Sequence, residues 1–255
     1  MRALITNDDG IDSPGLAALA RVAVAAGMDT VVAAPARESS GASASLLGAE
    51  QDGRLLYEAR GAPGLPDGVP SYAVRAAPAL IGFLAAQHGF EGRPDVVLSG
   101  VNRGSNTGHA VIHSGTVGAA FSAATHGIRA VAVSLASARP EHWDTARAVA
   151  AHVLPWVLAA EPGRVLNVNV PDVPLAALRG VVRAPLASFG AVQARVHAIE
   201  QGSLMVTYAE IDPARDAASD AGLLADGWAT LTLLEAPAFV ADAELPEHPE
   251  GPPPA

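Results

Sequence analysis

The chain has 255 residues, half of them hydrophobic, and a formal net charge of −10. Such totals allow one sizeable core and disfavour a broad surface for polyanions, although a small phosphate can still be held locally. Cysteine is absent and all 16 basic residues are arginine, which excludes disulfides, thiolate zinc sites, a lysine-bearing P-loop and Schiff-base chemistry.

The segment Arg2-Ala3-Leu4-Ile5-Thr6 reads as a strand that begins at once, with no basic stretch and apolar run ahead of it. No apolar run reaches the ~18–20 residues that span a bilayer, so the expected location is the cytoplasm. Ser13-Pro14 reads as an N-cap followed by proline in the first helical turn, and Gly27 suits the far end of that helix. Thr30 to Ala33 is a second strand, followed by a Ser/Gly/Ala loop from Pro35 to Ser45. Residues 50–75 read as irregular, with short strands near 55–57 and 72–74. Pro78 opens a helix that ends near Gly89, and Asp95 to Leu98 is a buried strand. A Gly-rich loop from Ser99 to Ser114 then leads into a helix over 115–126, closed by Gly127.

Strand 130–134, an amphipathic helix over 141–159 and strand 165–170 continue the alternation. Strands alternating with helices in this way predict a Rossmann-like α/β fold with a doubly wound, mostly parallel sheet. Beyond Pro171 the period changes to two, with strands near 180–184, 191–199, 203–209 and 228–234. The expected organisation is a catalytic core over 1–175, a small β-rich oligomerisation region over 176–240, and a disordered Pro- and Glu-rich tail over 241–255.

Ligands of open α/β sheets bind beyond the carboxyl ends of the strands. Three loops are predicted to leave that edge: Asn7-Asp8-Asp9-Gly10, Ser39-Ser40-Gly41-Ala42-Ser43, and Ser99 to Asn106 with Asn102 and Arg103. They offer carboxylates, hydroxyls and amide oxygens, which are hard ligands suited to Mg²⁺, Mn²⁺ or Ca²⁺. Adjacent carboxylates at a buried strand end repel each other without a cation, although Asp8-Asp9 read alone serves equally as an Asx turn or helix cap. Ser114-Gly115-Thr116 opens a helix whose free N–H groups suit a phosphate. Together these features fit metal-assisted hydrolysis of a phosphate ester. His109 and His113 lie four apart but lack a third zinc-type ligand, so His113, beside Ser114, reads as an acid/base or substrate-contacting group.

The stretches Asn7 to Gly15, Ala34 to Ser43, Ser99 to Asn106, Ser114 to Ala120 and Leu166 to Pro171 resemble the ordered motifs of the SurE (stationary-phase survival) family of 5′/3′-nucleotidases. The resemblance implies one divalent cation per subunit, Mg²⁺ or Mn²⁺ with Ca²⁺ also able to bind, held by Asp8, Asp9, Ser40 and Asn102. It places Asn106, Ser114, Gly115 and Thr116 at the phosphate, and Asn7, Gly41 and Ser43 join that group as substrate contacts. Catalysis is expected from Asp8, Asp9, Asn102 and His113. The implied activity is a 5′-nucleotidase or acid-phosphatase type of phosphomonoesterase, acting on nucleoside 5′- and 3′-monophosphates in a homodimer or homotetramer, with no nucleic-acid polymer or membrane as partner. The chain departs from the family pattern at Ala36, Ala44, His109, Ala110 and His113, and Asp212-Pro213-Ala214-Arg215 is at best a remnant of a later family segment.

Other readings are a non-catalytic nucleotide or phosphate binder on the same scaffold and a haloacid-dehalogenase-type phosphatase. The adjacency of Asp8 and Asp9 and the lack of lysine count against the second. A glycosyltransferase with a metal-binding acidic pair fits less well still.

Overall fold

The computed structural model describes residues 1–188, 192–200, 203–210 and 216–237. In chain order its strands are β1 (Arg2–Thr6), β2 (Asp29–Pro35), β3 (Glu50–Gln51), β4 (Arg54–Leu55), β5 (Tyr57–Ala59), β6 (Ser71–Val74), β7 (Val96–Arg103), β8 (Arg129–Leu135), β9 (Arg164–Val170), β10 (Val181–Arg183), β11 (Val192–Glu200), β12 (Ser203–Glu210) and β13 (Ala229–Glu235). The helices are α1 (Pro14–Ala25), α2 (Pro78–Ala86), α3 (Gly115–Ala124), α4 (Trp143–Ala159) and α5 (Asp220–Ala225).

Nine strands form one sheet in the order β10-β13-β9-β8-β7-β1-β2-β6-β5. From β9 to β6 every neighbouring pair is parallel. The chain winds outward from β1 through β2 to β6, then returns to the other side of β1 with β7 and continues to β9. The order therefore reverses between β1 and β7, and such a switch point opens a crevice at the carboxyl edge. The expected α/β fold is the one observed.

Alternating side chains build a core on each face. Ala3 and Ile5 of β1 join Leu16 and Leu19 of α1 and Val149 and Val153 of α4, whereas Leu4 joins Ile81 of α2 and Val117 of α3. Each fully buried aliphatic side chain stabilises the fold by about 1.5–3 kcal/mol. The helix signals act as read: the Ser13 hydroxyl accepts from Gly15 N with Pro14 in the first turn, and the Ser114 hydroxyl accepts from Val117 N. Gly27 adopts a φ of +73° where α1 ends. Gly15 lets α1 lie directly on β7, since a Cβ there would stand 2.1 Å from the Val101 carbonyl oxygen.

Three features differ from the expectation. Strand β7 runs on to Arg103 instead of giving way to a loop after Leu98, because its pairing with β8 resumes past a register shift between Gly100 and Asn102. The glycines that suggested a loop lie within and just beyond this irregular strand end. The main sheet also continues past residue 175. β13 pairs antiparallel with β9 and β10 pairs parallel with β13, so part of the expected appendage extends the core, while β11 and β12 form a separate hairpin. Short helix α5 and a 3-10 turn over Gly108–His113 carried no strong periodic signal. The tail over 241–255 and the Asp212–Arg215 segment lie outside the described residues. Among the described residues, no helix is long and apolar enough to cross a membrane.

Candidate active site

Asp8 and Asp9 leave the end of β1 at the switch point. Asn7 makes the turn possible: its side-chain amide donates to the Gly10 carbonyl and its carbonyl accepts from Gly10 N, both at 3.1 Å. Fully buried and bonded at both ends of its amide, the Asn7 side chain braces the loop. Asp8 is 4% exposed and accepts a 2.5 Å hydrogen bond from the Thr116 hydroxyl. Gly115 leaves room for this approach, because a Cβ there would lie 2.9 Å from an Asp8 carboxylate oxygen. The carboxylate thus sits at the start of α3, where backbone N–H groups favour negative charge.

Asp9 is held from the other side. Arg103 donates its Nε to one carboxylate oxygen at 3.0 Å and its backbone N–H to the other at 3.1 Å. Burial pushes the Asp8 carboxyl above the usual 3.8, the neighbouring Asp9 adds to the rise, and the hydrogen bonds from Thr116 only partly oppose it. Burial likewise raises Asp9 against the counter-effect of Arg103, with Glu38 adding repulsion. Two partly desolvated acids with incomplete compensation favour a proton or a cation between them.

Asn102 lies at the end of β7, and its amide nitrogen donates to the Gly104 carbonyl at 2.8 Å, which leaves the amide oxygen free to accept. Ser40 donates its hydroxyl to Glu38 at 2.9 Å and keeps its oxygen lone pairs. A cavity of about 240 Å³ is lined by Asp8, Ser40, Asn102, Asn106, His113 and Ser114, with Gly41 and Arg103 also in its lining. Asp9, Gly115 and Thr116 are not in that lining; Asp9 bonds Arg103 and Thr116 bonds Asp8. The Ser43 hydroxyl donates to the Ile112 carbonyl at 2.5 Å, which pins the loop to the turn before α3.

Strand β9 contributes residues that sequence reasoning did not assign to the site. The Asn106 backbone carbonyl accepts from the side-chain amides of Asn167 and Asn169, both at 2.8 Å, and Asn106 N donates to the Asn169 side-chain oxygen Oδ1 at 2.7 Å. The Asn106 side chain donates to the Ser134 hydroxyl at 2.8 Å. Asn167 and Asn169, both buried, lie two apart on one face of an otherwise apolar strand. That spacing was the available signal, since buried amides require partners. Asp220, fully buried, accepts from Gly108 N at 3.0 Å and from Ala187 N and Ala221 N at 2.8 Å, and thereby ties α5 to the turn that carries His109 and His113. Among the described residues no three His, Asp or Glu side chains cluster as a metal site. The oxygen donors collected here are two carboxylates, a hydroxyl and an amide, a set suited to hard cations.

Residues 3–191 match the family profile described as "Survival protein SurE". The 5′/3′-nucleotidase SurE of Cronobacter sakazakii is 43% identical over 184 residues, spanning 71% of this chain and 68% of that protein. The protein of the same name from Salmonella arizonae is 42% identical over 184 residues with the same coverage. The crystal structure of the Sure protein from Aquifex aeolicus aligns with a TM-score of 0.76 at 25% identity, covering 94% of this chain and 95% of that one.

Proposed function

The chain belongs to the SurE family and is a phosphoric monoester hydrolase, and from that premise we propose that it releases phosphate from nucleoside 5′- and 3′-monophosphates with a divalent cation at the Asp8 cavity. The observation that carries this reading is that Asp8, Ser40, Asn102 and Ser114 at the start of α3 line one cavity.

Asp8, Asp9, Ser40 and Asn102 would hold Mg²⁺ or Mn²⁺, and Ca²⁺ suits the same donors. The fit rests on the raised Asp8 and Asp9 carboxyls and on the Asn102 amide oxygen left free by the bond to Gly104. When bound, the cation supplies polarisation of a phosphoryl oxygen and acidifies water. The first-turn N–H groups of α3, behind Ser114 at the cavity, favour the negative charge that grows on the remaining phosphoryl oxygens. Ser114 caps α3 and keeps those donors aligned. Asn106, fixed from β8 and β9, lines the same cavity and would position the phosphate there. His113, at the cavity and exposed, is placed to give a proton to the leaving alkoxide. The working unit is a homodimer or homotetramer assembled through residues 176–240, which sedimentation checks.

A phosphate-release screen over AMP, GMP, 3′-AMP and an aryl phosphate, with and without Mn²⁺, tests the function. Turnover that requires the metal is the expected result. Tight binding of nucleotide with no turnover of any substrate would overturn it.

A further inference from the structure

A second and larger cleft of about 950 Å³ opens beside the Asp8 cavity, and Gly41 lines both. The wall between them is the loop after β2. That wall is fixed directly to the acidic turn, because Ser39 N donates to the Asp8 carbonyl at 2.8 Å. The volume is at the upper end of that of small-molecule sites.

The charge in this cleft runs against that of the whole molecule. In a chain of net charge −10 with 16 arginines, Arg37, Arg60 and Arg75 line this one concavity, with Glu58 among them. Arg60 is neutralised by a two-oxygen contact with Asp12, at 2.8 and 2.6 Å. Arg37 and Arg75 are exposed, and among the described residues neither makes an ion pair with a carboxylate. The backbone at Arg75 is held at both groups, its N–H by the Leu56 carbonyl at 3.0 Å and its carbonyl by Ala49 N at 2.7 Å. Arginine stays charged at any working pH, and its planar fork matches phosphate oxygens in pairs. Unpaired guanidinium groups on a concave wall beside a phosphoryl site raise the local concentration of a dianion.

We propose that this cleft is a second anion subsite, which receives a phosphate carried on the leaving group, so that bisphosphorylated nucleosides are the preferred substrates. The proposal rests on the phosphomonoesterase reading of the Asp8 cavity. One phosphate lies in that cavity while Arg37 and Arg75 hold the other. Water adds its oxygen to the first phosphorus and gives up a proton, the ester P–O bond breaks, and the leaving alkoxide gains a proton to become the alcohol. The products are inorganic phosphate and a nucleoside monophosphate still bearing the second phosphate.

The experiment compares adenosine 3′,5′-bisphosphate with AMP in the Mn²⁺-loaded enzyme, its Arg75→Gln variant and its Arg37→Gln/Arg75→Gln variant. The ratio of kcat/KM for the bisphosphate to that for AMP is expected to exceed about ten in the native enzyme. In the double variant it is expected to fall about tenfold through KM, as losing charged hydrogen bonds predicts. Glu58→Gln raises the ratio. A native ratio near one, or a ratio the double variant leaves unchanged, overturns the proposal. Calorimetric binding of adenosine 3′,5′-bisphosphate without divalent metal gives a second readout, with an expected Kd about tenfold weaker in the double variant; equal affinities overturn the subsite. Weakened binding in the variant, together with no phosphate release from any substrate, retains the cleft and removes the phosphomonoesterase reading. Release without preference for the bisphosphate does the reverse.

Discussion

Asp8 and Asp172 both follow parallel strands and emerge at the same edge of the sheet, one beyond β1 and the other beyond β9. Around Asp172 the chain supplies every donor needed. Its carboxylate accepts from Glu141 N at 3.1 Å, from His142 N at 2.8 Å and from the His142 ring at 3.1 Å, which fastens the start of α4. Burial alone would raise the Asp172 carboxyl, but these contacts outweigh it and hold the group below its usual 3.8. Around Asp8 the balance falls the other way, since burial and the adjacent Asp9 exceed what Thr116 returns. A fully partnered carboxylate is a fastener, whereas an under-partnered one marks a place where a ligand completes the coordination. The β9 amides are the neutral counterpart: Asn169 bonds both backbone groups of Asn106 without carrying charge.

The comparison breaks most visibly at Asp8→Asn. Phosphate release is expected to fall by about a thousandfold or more, while the metal-free Tm holds or rises because a buried charge has gone. Retained turnover, or early unfolding, would place Asp8 with Asp172 as a structural group. Asn169→Leu is the next largest effect. It leaves the Asn106 N–H without its partner and the Asn106 carbonyl with Asn167 alone, at about 1–3 kcal/mol in urea unfolding, and a loss under about 0.5 kcal/mol would show that the network is dispensable. Asp172→Asn follows, with an expected loss of about 1–2 kcal/mol near neutrality.

The smallest effect is the sharpest in sign. Asp172 has a lowered folded value, so the stability lost in Asp172→Asn is present above 3.8 and vanishes as pH falls through the folded value. Asp8 and Asp9 have raised folded values, so their contribution is present below 3.8 and is lost as pH rises through those values. Metal-free urea midpoints of native protein, Asp8→Asn and Asp172→Asn between about pH 3 and about pH 7 should therefore diverge in opposite senses. Parallel curves would refute the contrast.

Much of this was legible from the residues. Ser13-Pro14, Gly27 and Ser114-Gly115-Thr116 are local signals, and local signals report helix ends well. The β-α alternation set the sheet type, and the ordered motifs brought Asp8, Ser40 and Asn102 into one candidate site. Long-range choices were hidden. Arg103 reads in the sequence only as a member of the loop over 99–106, and the fold shows it clasping Asp9 across 94 positions. The joining of β13 to β9 depends on a hydrogen-bonded edge that no periodicity encodes. Asn7 and Ser43 have the chemistry of ligand contacts, yet their atoms meet Gly10 and Ile112.

The sequence distances closed at the site carry one more consequence. Asp8 meets Thr116 across 108 positions, Asn106 meets Asn169 across 63, and Gly108 meets Asp220 across 112. A ribosome extends the chain from its first residue onward, and contacts this remote form only after the last participant has emerged. The acidic turn is thus synthesised early, whereas the contact that ties α5 to the turn ahead of α3 forms only after Asp220 has emerged.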